Sequence, residues 1–196
     1  MNDNVYAAPR AQLINAADQP AAPDAFYVVS SLKFHLLFFL TMGFYSVYWF
    51  YRHWKAWKSH SREDLWPVPR AIFNIFFVHA LFGLFVRAGM SWQPWKGLVW
   101  ATVYVVAAIA SNFVDAFPMV TQGWRDLGSL AFLIIMGIAL ANGQQGANEA
   151  CGDSEGVRNA HFSVANIVWM VIGSIFWLFV LLSGVLLSTS VDVRVG

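Results

Sequence analysis

Apolar residues fall along this chain in five long blocks. None of the blocks contains Asp, Glu, Lys or Arg, and charges fence each one: Lys33 and Arg52, Arg70 and Arg87, Lys96 and Asp115, Asp126 and Glu149, and Arg158 and Asp192. A helix of roughly 20 apolar residues matches the hydrocarbon thickness of a bilayer. The pattern therefore predicts an all-α integral membrane protein, a bundle of five hydrophobic helical segments making four or five full crossings. The expected domain covers residues 26–190, between a disordered tail (1–25) and a short C-terminal tail (191–196). Residues 1–25 are rich in Ala, Asn, Asp, Gln and Pro. They lack the basic start and apolar core of a secretory signal, so the tail is expected to be uncleaved.

The first segment, 32–51, holds Thr41 and Gly43 at its middle, where a bend is expected. It ends in aromatic residues that run into a basic loop. The second, 70–87, is short. Pro67 and Pro69 precede it, and proline suits a helix start because that N–H has no partner there anyway. Its start is expected near Pro69. Met90 to Trp95 reads as an interfacial turn. The third segment, 97–113, carries small residues suited to close packing, and the fourth, 127–141, carries the pairs Gly137/Ala141 and Ala139/Gly143. The loop 146–159 is expected to be exposed. The fifth segment, 164–188, is the longest.

The Arg52–Arg70 loop carries the most basic residues, so the positive-inside rule places it in the cytoplasm. With five crossings, Arg52, Lys55, Lys58, Arg62, Arg70, Arg125 and Arg194 lie inside. Arg10, Lys33, Arg87, Lys96 and Arg158 then lie outside. If the first segment is re-entrant, broken near Gly43, Arg10 and Lys33 move inside as well. Charge favours the second arrangement and hydrophobic length the first.

Composition narrows the function. The formal net charge is +1, so no basic field points to nucleic acid. Cys151 is the only cysteine and has no intramolecular disulfide partner. No GxSxG, HExxH, Walker loop or GxGxxG is present, and no carboxylate pair lies within an apolar segment. No cofactor is called for, and a non-enzymatic interaction or accessory module is the expected class.

Two alternatives arise from particular residues. A small-solute or ion transporter would place a polar site near His79, in mid-segment, with Asn74, Asn112 and Asn166 as ligand or proton-relay groups. His79 also has the character of a haem ligand, with His35 as the other apolar-segment histidine. The plainer reading is a neutral His79 bonded to a neighbouring helix. A lipid-headgroup-modifying enzyme would use Lys33 with Arg52, Trp54, Lys55, Trp57 and Lys58, a basic and aromatic run suited to anionic headgroups. Topology determination and interfacial anchoring explain the same residues. His53 and His60 are seven apart on one helix face, a poor zinc site without a third ligand. Asn142, Gln144, Gln145 and Asn148 could line a polar vestibule with Asn166, or form a solvated helix end. The expected partners are the bilayer, anionic headgroups, and a membrane-protein partner or a second copy.

Lys33-Phe34, Leu37, Thr41-x-Gly43-x-Tyr45-x-x-Tyr48-Trp49 and Tyr51 resemble the motif of small bacterial inner-membrane proteins in a domain family of unknown function. Pro69-Arg70-Ala71-x-Phe73 is similar to the opening of that family's next helix. A second uncharacterised bacterial membrane family carries Thr-x-Gly-x-Tyr-x-x-Pro-Trp, where this chain has Tyr48 in place of the proline. The resemblance covers residues 26–75. It implies a bacterial cytoplasmic membrane and brings no catalytic residue or cofactor.

Overall fold

The computed structural model describes residues 22–89, 94–113 and 121–195, all of it helix and connecting segments without strands. Seven α-helices run in order: α1 (Ser31–Leu40), α2 (Tyr45–Ser61), α3 (Pro67–Ile72), α4 (Asn74–Arg87), α5 (Pro94–Phe113), α6 (Gln122–Ala150) and α7 (Val164–Val195). Three are long and apolar enough to cross a membrane, over Trp95–Phe113, Gly123–Ala150 and Val164–Gly184. The two other expected spans are each broken into two shorter helices.

The first break is written in Thr41, Met42 and Gly43. Met42 (φ 53°) and Gly43 (φ 85°) are left-handed, and their N–H groups bond back to the Phe39 and Phe38 carbonyls at 3.1 and 2.8 Å. That pair of bonds is a Schellman motif, which satisfies the last carbonyls of α1 and turns the chain away. The Thr41 hydroxyl then joins the two helices. It donates to the Leu37 carbonyl at 2.6 Å and accepts from the Tyr45 N–H at 3.0 Å. The second break falls at Phe73. Pro67 opens α3, two residues before the expected start at Pro69, and the Asn74 side chain bonds the Ala71 carbonyl at 3.0 Å. A side chain that takes a nearby carbonyl in this way competes with the helix.

Contacts along α6 fix the direction of each piece. Val29 bonds Asn148, the Phe38 and Phe39 rings cover Gly137, and Gly43 sits against Leu133. At 1.5 Å per residue, the chain therefore descends about 22 Å beside α6, half of that helix's length of about 43 Å. It then returns, because Trp49 and His53 on α2 are back at Gln144. The second pair repeats the path. Ala71 and Ile72 of α3 line one cavity with Thr41 and Phe44 and so lie at their level, and α4 climbs until Phe82 lies over Gly143 and Phe85 touches His53 and Phe26. Both pairs are thus helical hairpins that enter and leave by one end of the bundle, the near end. α5 descends from there beside α4, α6 returns, and α7 descends again. α7 packs only on α1 among the described elements. Val164–Val195 is helical, so the expected C-terminal tail from 191 continues α7.

The small residues of α6 serve two neighbours: Gly137 receives α1 rings, whereas Gly143 receives Phe82 of α4. The loop after α6 is only partly exposed. Cys151 is buried, and Gly156 (φ 66°) lies so close to the Val29 carbonyl that a Cβ there would overlap it. Residues 1–21, the turn around Trp92, and Asp115 lie outside the described residues.

Candidate functional site

Residues 25–29, at the junction of the expected tail and the helical domain, form an extended strap that is buried throughout. Buried backbone polar groups must find partners. Here side chains from distant segments supply them. The Phe26 carbonyl accepts from the Cys151 thiol at 3.8 Å, Tyr27 from Gln144 at 3.0 Å, Val28 from Asn159 at 2.8 Å and Val29 from Asn148 at 2.9 Å. Asn148 also accepts from the Val29 N–H at 3.3 Å and so pairs with it as a neighbouring strand would.

Gln144 links this strap to the core. Its amide donates to Asn148 at 2.7 Å, and its oxygen accepts from the Trp49 indole at 2.5 Å and lies 3.3 Å from His53 Nε2. Burial pushes the pKa of His53 down to about 3, partly opposed by the bond to Gln144, so the ring is neutral at physiological pH. A neutral imidazole with its proton on Nε2 is the donor Gln144 needs. Gln144 and Asn148 therefore belong to a structural lock. Of the expected vestibule set, Asn142, Gln144, Gln145 and Asn148 all line one small cleft of about 270 Å³ with Ser31 and His35, whereas Asn166 stands apart at the start of α7.

Beyond the strap, at the near end, lies an open basin of about 780 Å³. Lys33, Arg52, Lys55 and Arg158 supply its cations, and Asp24 is its carboxylate. Arg158 is already matched. It pairs with Asp153 at 3.2 Å and donates to the Pro23 and Cys151 carbonyls. The Arg158 and Val157 backbone N–H groups, with that guanidinium, hold the Asp153 carboxyl below its usual range.

Lys33 and Arg52 are different. The Lys33 ammonium donates to Asn159 Oδ1 and the His161 carbonyl, both at 2.6 Å. Arg52 donates to the Tyr48 hydroxyl at 2.7 Å and lies over the Tyr27 ring at 4.5 Å. Cation–π contact stabilises a guanidinium without cancelling its charge. Neither group forms an ion pair among the described residues. Lys55 is exposed, with its ammonium 5.8 Å from the Tyr51 ring. Ser163 and Asn166 complete the wall as a reciprocal cap on α7. Asn166 accepts from the Ser163 N–H at 3.0 Å, and its own N–H reaches the Ser163 hydroxyl at 3.3 Å. This directs the positive end of the α7 dipole at the basin.

A second cavity of about 710 Å³ opens beside the basin. Its walls are Leu37, Phe44, Val47, Val68, Ile72 and Trp169, among others, and almost all of its surface is apolar. Tyr48, Tyr51, Ser163 and Asn166 line both cavities, so they form the rim between them.

The six headgroup candidates thus separate into two sets. Lys33, Arg52 and Lys55 converge on the basin. Trp54 is in the core under the Arg70 guanidinium, Trp57 stacks on Phe26 at 5.5 Å, and Lys58 bonds the Leu65 carbonyl and Asp64. The four relay candidates are not gathered in one place. His79 is exposed and bonds Thr102 on α5 at 3.1 Å, Asn74 accepts from the Tyr104 hydroxyl at 2.7 Å, and Asn112 bonds the Ala108 carbonyl of its own helix. Asn166 is the α7 cap. His35 bonds Ser31 near the small cleft, and His60 is exposed. The basic and aromatic run pointed to Tyr51 of the rim, but not to Tyr48, the strap, or the role of Asn159. The i, i+4 spacing of Tyr48 and Arg52 was the one local hint.

Comparison with models of protein families, with curated proteins and with solved structures finds no match to this chain.

Proposed function

We propose that this chain is a three-span membrane protein with two re-entrant helical hairpins, and that it acts as a non-enzymatic module holding an anionic group in the near-end basin. One observation carries the binding role: Lys33 and Arg52 reach the basin with only neutral partners, so an incoming anion would supply their missing counter-charge. Binding fits the basin better than catalysis. The Ser163 hydroxyl is committed to the α7 cap, and so is not poised as a nucleophile.

The hairpins also simplify the charge distribution. Lys33, Arg52, Lys55, Lys58, Arg62, Arg70, Arg87, Lys96 and Arg158 all fall at the near end, and Arg125 and Arg194 at the far end. With Arg10 left out of each count, nine against two compares with seven against four and eight against three for the arrangements drawn from the sequence, and so supports a cytoplasmic near end more strongly than either. The motif resemblance at residues 33–51 supports a bacterial cytoplasmic membrane.

Sidedness separates this topology from four or five crossings. Single cysteines at Ser59, Ser154 and Thr121 are all at exposed positions. Three spans place 59 and 154 on the cytoplasmic side and 121 outside. Four or five crossings place 59 and 121 together, with 154 opposite. Labelling of 59 and 154 from opposite faces of the membrane would end the three-span reading.

The binding role has its own test. The purified protein is expected to bind a soluble phosphate monoester, glycerol 3-phosphate. The double variant Arg52→Gln, Lys55→Gln is expected to weaken that binding about tenfold or more, at about 1 kcal/mol per cation. Equal affinity of the variant and the parent would remove the basin as the anion site.

A further inference from the structure

We infer that the anion held in the basin is the headgroup of a bilayer lipid, whose hydrocarbon chain lies in the adjoining apolar groove. This rests on the binding role proposed above and adds the chemical class of the ligand. The two cavities are contiguous, since Tyr48, Tyr51, Ser163 and Asn166 wall both. Their chemistries are opposite. The basin offers Lys33, Arg52 and Lys55 against a single carboxylate, Asp24, whereas the groove is closed by Leu37, Val47, Val68, Ile72 and Trp169. Each volume lies within the range of small-molecule sites, roughly 300–1,000 Å³.

A ligand that satisfies both must carry an anionic head and an apolar tail joined by a short polar neck. The rim supplies hydroxyls and an amide where that neck would pass. Position agrees with the chemistry. The basin lies where α6 has ended and α7 begins, the depth of lipid headgroups for helices of these lengths. The groove runs from there toward the level of Thr41 and Phe44, at the turn of the first hairpin. A free phosphate would use the basin and leave the groove empty. A neutral lipid would use the groove and leave the cations unmatched. A bilayer phospholipid with net negative charge uses both.

The test compares three probes on the detergent-purified full chain by native mass spectrometry or titration: dioctanoyl phosphatidic acid, glycerol 3-phosphate and dioctanoylglycerol. The first is expected to bind about tenfold or more tighter than either of the others, since each buried methylene adds to affinity. Two groove variants, Val68→Trp and Ala165→Trp, place bulk at exposed wall positions, where folding tolerates it. Either is expected to bring phosphatidic acid down to the affinity of glycerol 3-phosphate and to leave glycerol 3-phosphate itself unchanged. Equal affinity of phosphatidic acid and glycerol 3-phosphate for the parent would overturn the lipid assignment and leave the anion basin standing. So would groove variants that bind phosphatidic acid as the parent does. Loss of the basin itself would show separately, as indifference of all three probes to Arg52→Gln, Lys55→Gln.

Discussion

Replacing Gln144 with Leu is expected to cost roughly 3–6 kcal/mol, out of a total stability of about 5–15 kcal/mol for a typical domain. Leucine fits the space but removes both an acceptor and a donor. The Trp49 indole N–H, the Tyr27 carbonyl and Asn148 each lose a partner, and all of them are buried. A buried group left without a partner costs about 1–3 kcal/mol. The damage also spreads, because Asn148 holds Val29 and the strap in turn covers Phe85 and His53 through Phe26. Thermal unfolding in mild detergent measures the effect. Gln145→Leu is the control: Gln145 is the next residue on α6, is exposed, and among the described residues its side chain bonds only Glu149, at 3.3 Å. It is expected to change stability by no more than about 0.5 kcal/mol. If the two variants melt alike, the lock does not hold the fold together.

The three helices long and apolar enough to span were legible because composition alone decides them: a charge-free run of sufficient length has few other homes. The hairpins were harder. Residues 32–51 are as apolar as a spanning helix, and length cannot distinguish a crossing from a descent and return. The clue was local, in a threonine whose hydroxyl can bridge two helices and a glycine suited to positive φ, and it indicated a bend without giving the angle. The second hairpin left a weaker mark, since Phe73-Asn74 interrupts no apolar pattern.

Gln144 and Asn148 stand one turn apart on α6, so the sequence showed a polar stripe. Its partner, a strap about 120 positions earlier, was hidden because the strap bonds through its backbone, and its side chains, Ala25-Phe26-Tyr27-Val28-Val29, carry no polar pattern to match the stripe. His79 shows the reverse limit. Its place in mid-segment says nothing about which way the ring faces, and here it turns outward to Thr102. For the basin, the sequence identified three of the cations. What makes them a site is that the first hairpin brings Lys33 and Arg52 back to one level beside the start of α7, and that depends on the turn at Gly43.

Gly173→Val is expected to cost about 3 kcal/mol or more, and to loosen ligand binding at a site well away from the substitution. Gly173 lies so close to α1 that a Cβ there would overlap the Leu40 carbonyl oxygen, with the Leu40 carbonyl carbon and the Thr41 Cα also near. Those are backbone atoms, so no side-chain rotation relieves the overlap, and overpacking of this kind usually costs about 1–3 kcal/mol before any contact is lost. Contacts are lost as well. The Trp177 indole, one turn further along α7, donates to the Phe39 carbonyl at 2.8 Å, a bond that needs the same close approach. Because α7 packs on the other described helices through α1 alone, separating the two frees the whole helix. Its first residues, Ser163, Asn166 and Trp169, wall the basin and the groove, so anion and lipid affinity should fall together with stability. Gly184→Val on the same helix isolates the cause. Among the described residues nothing lies within 4 Å of a Cβ at Gly184, and the change is expected to leave both melting and binding unaltered. Equal behaviour of the two valine variants would mean that α7 does not pack on the end of α1 at Leu40, and the wall that α7 gives to the basin and groove would have to be withdrawn.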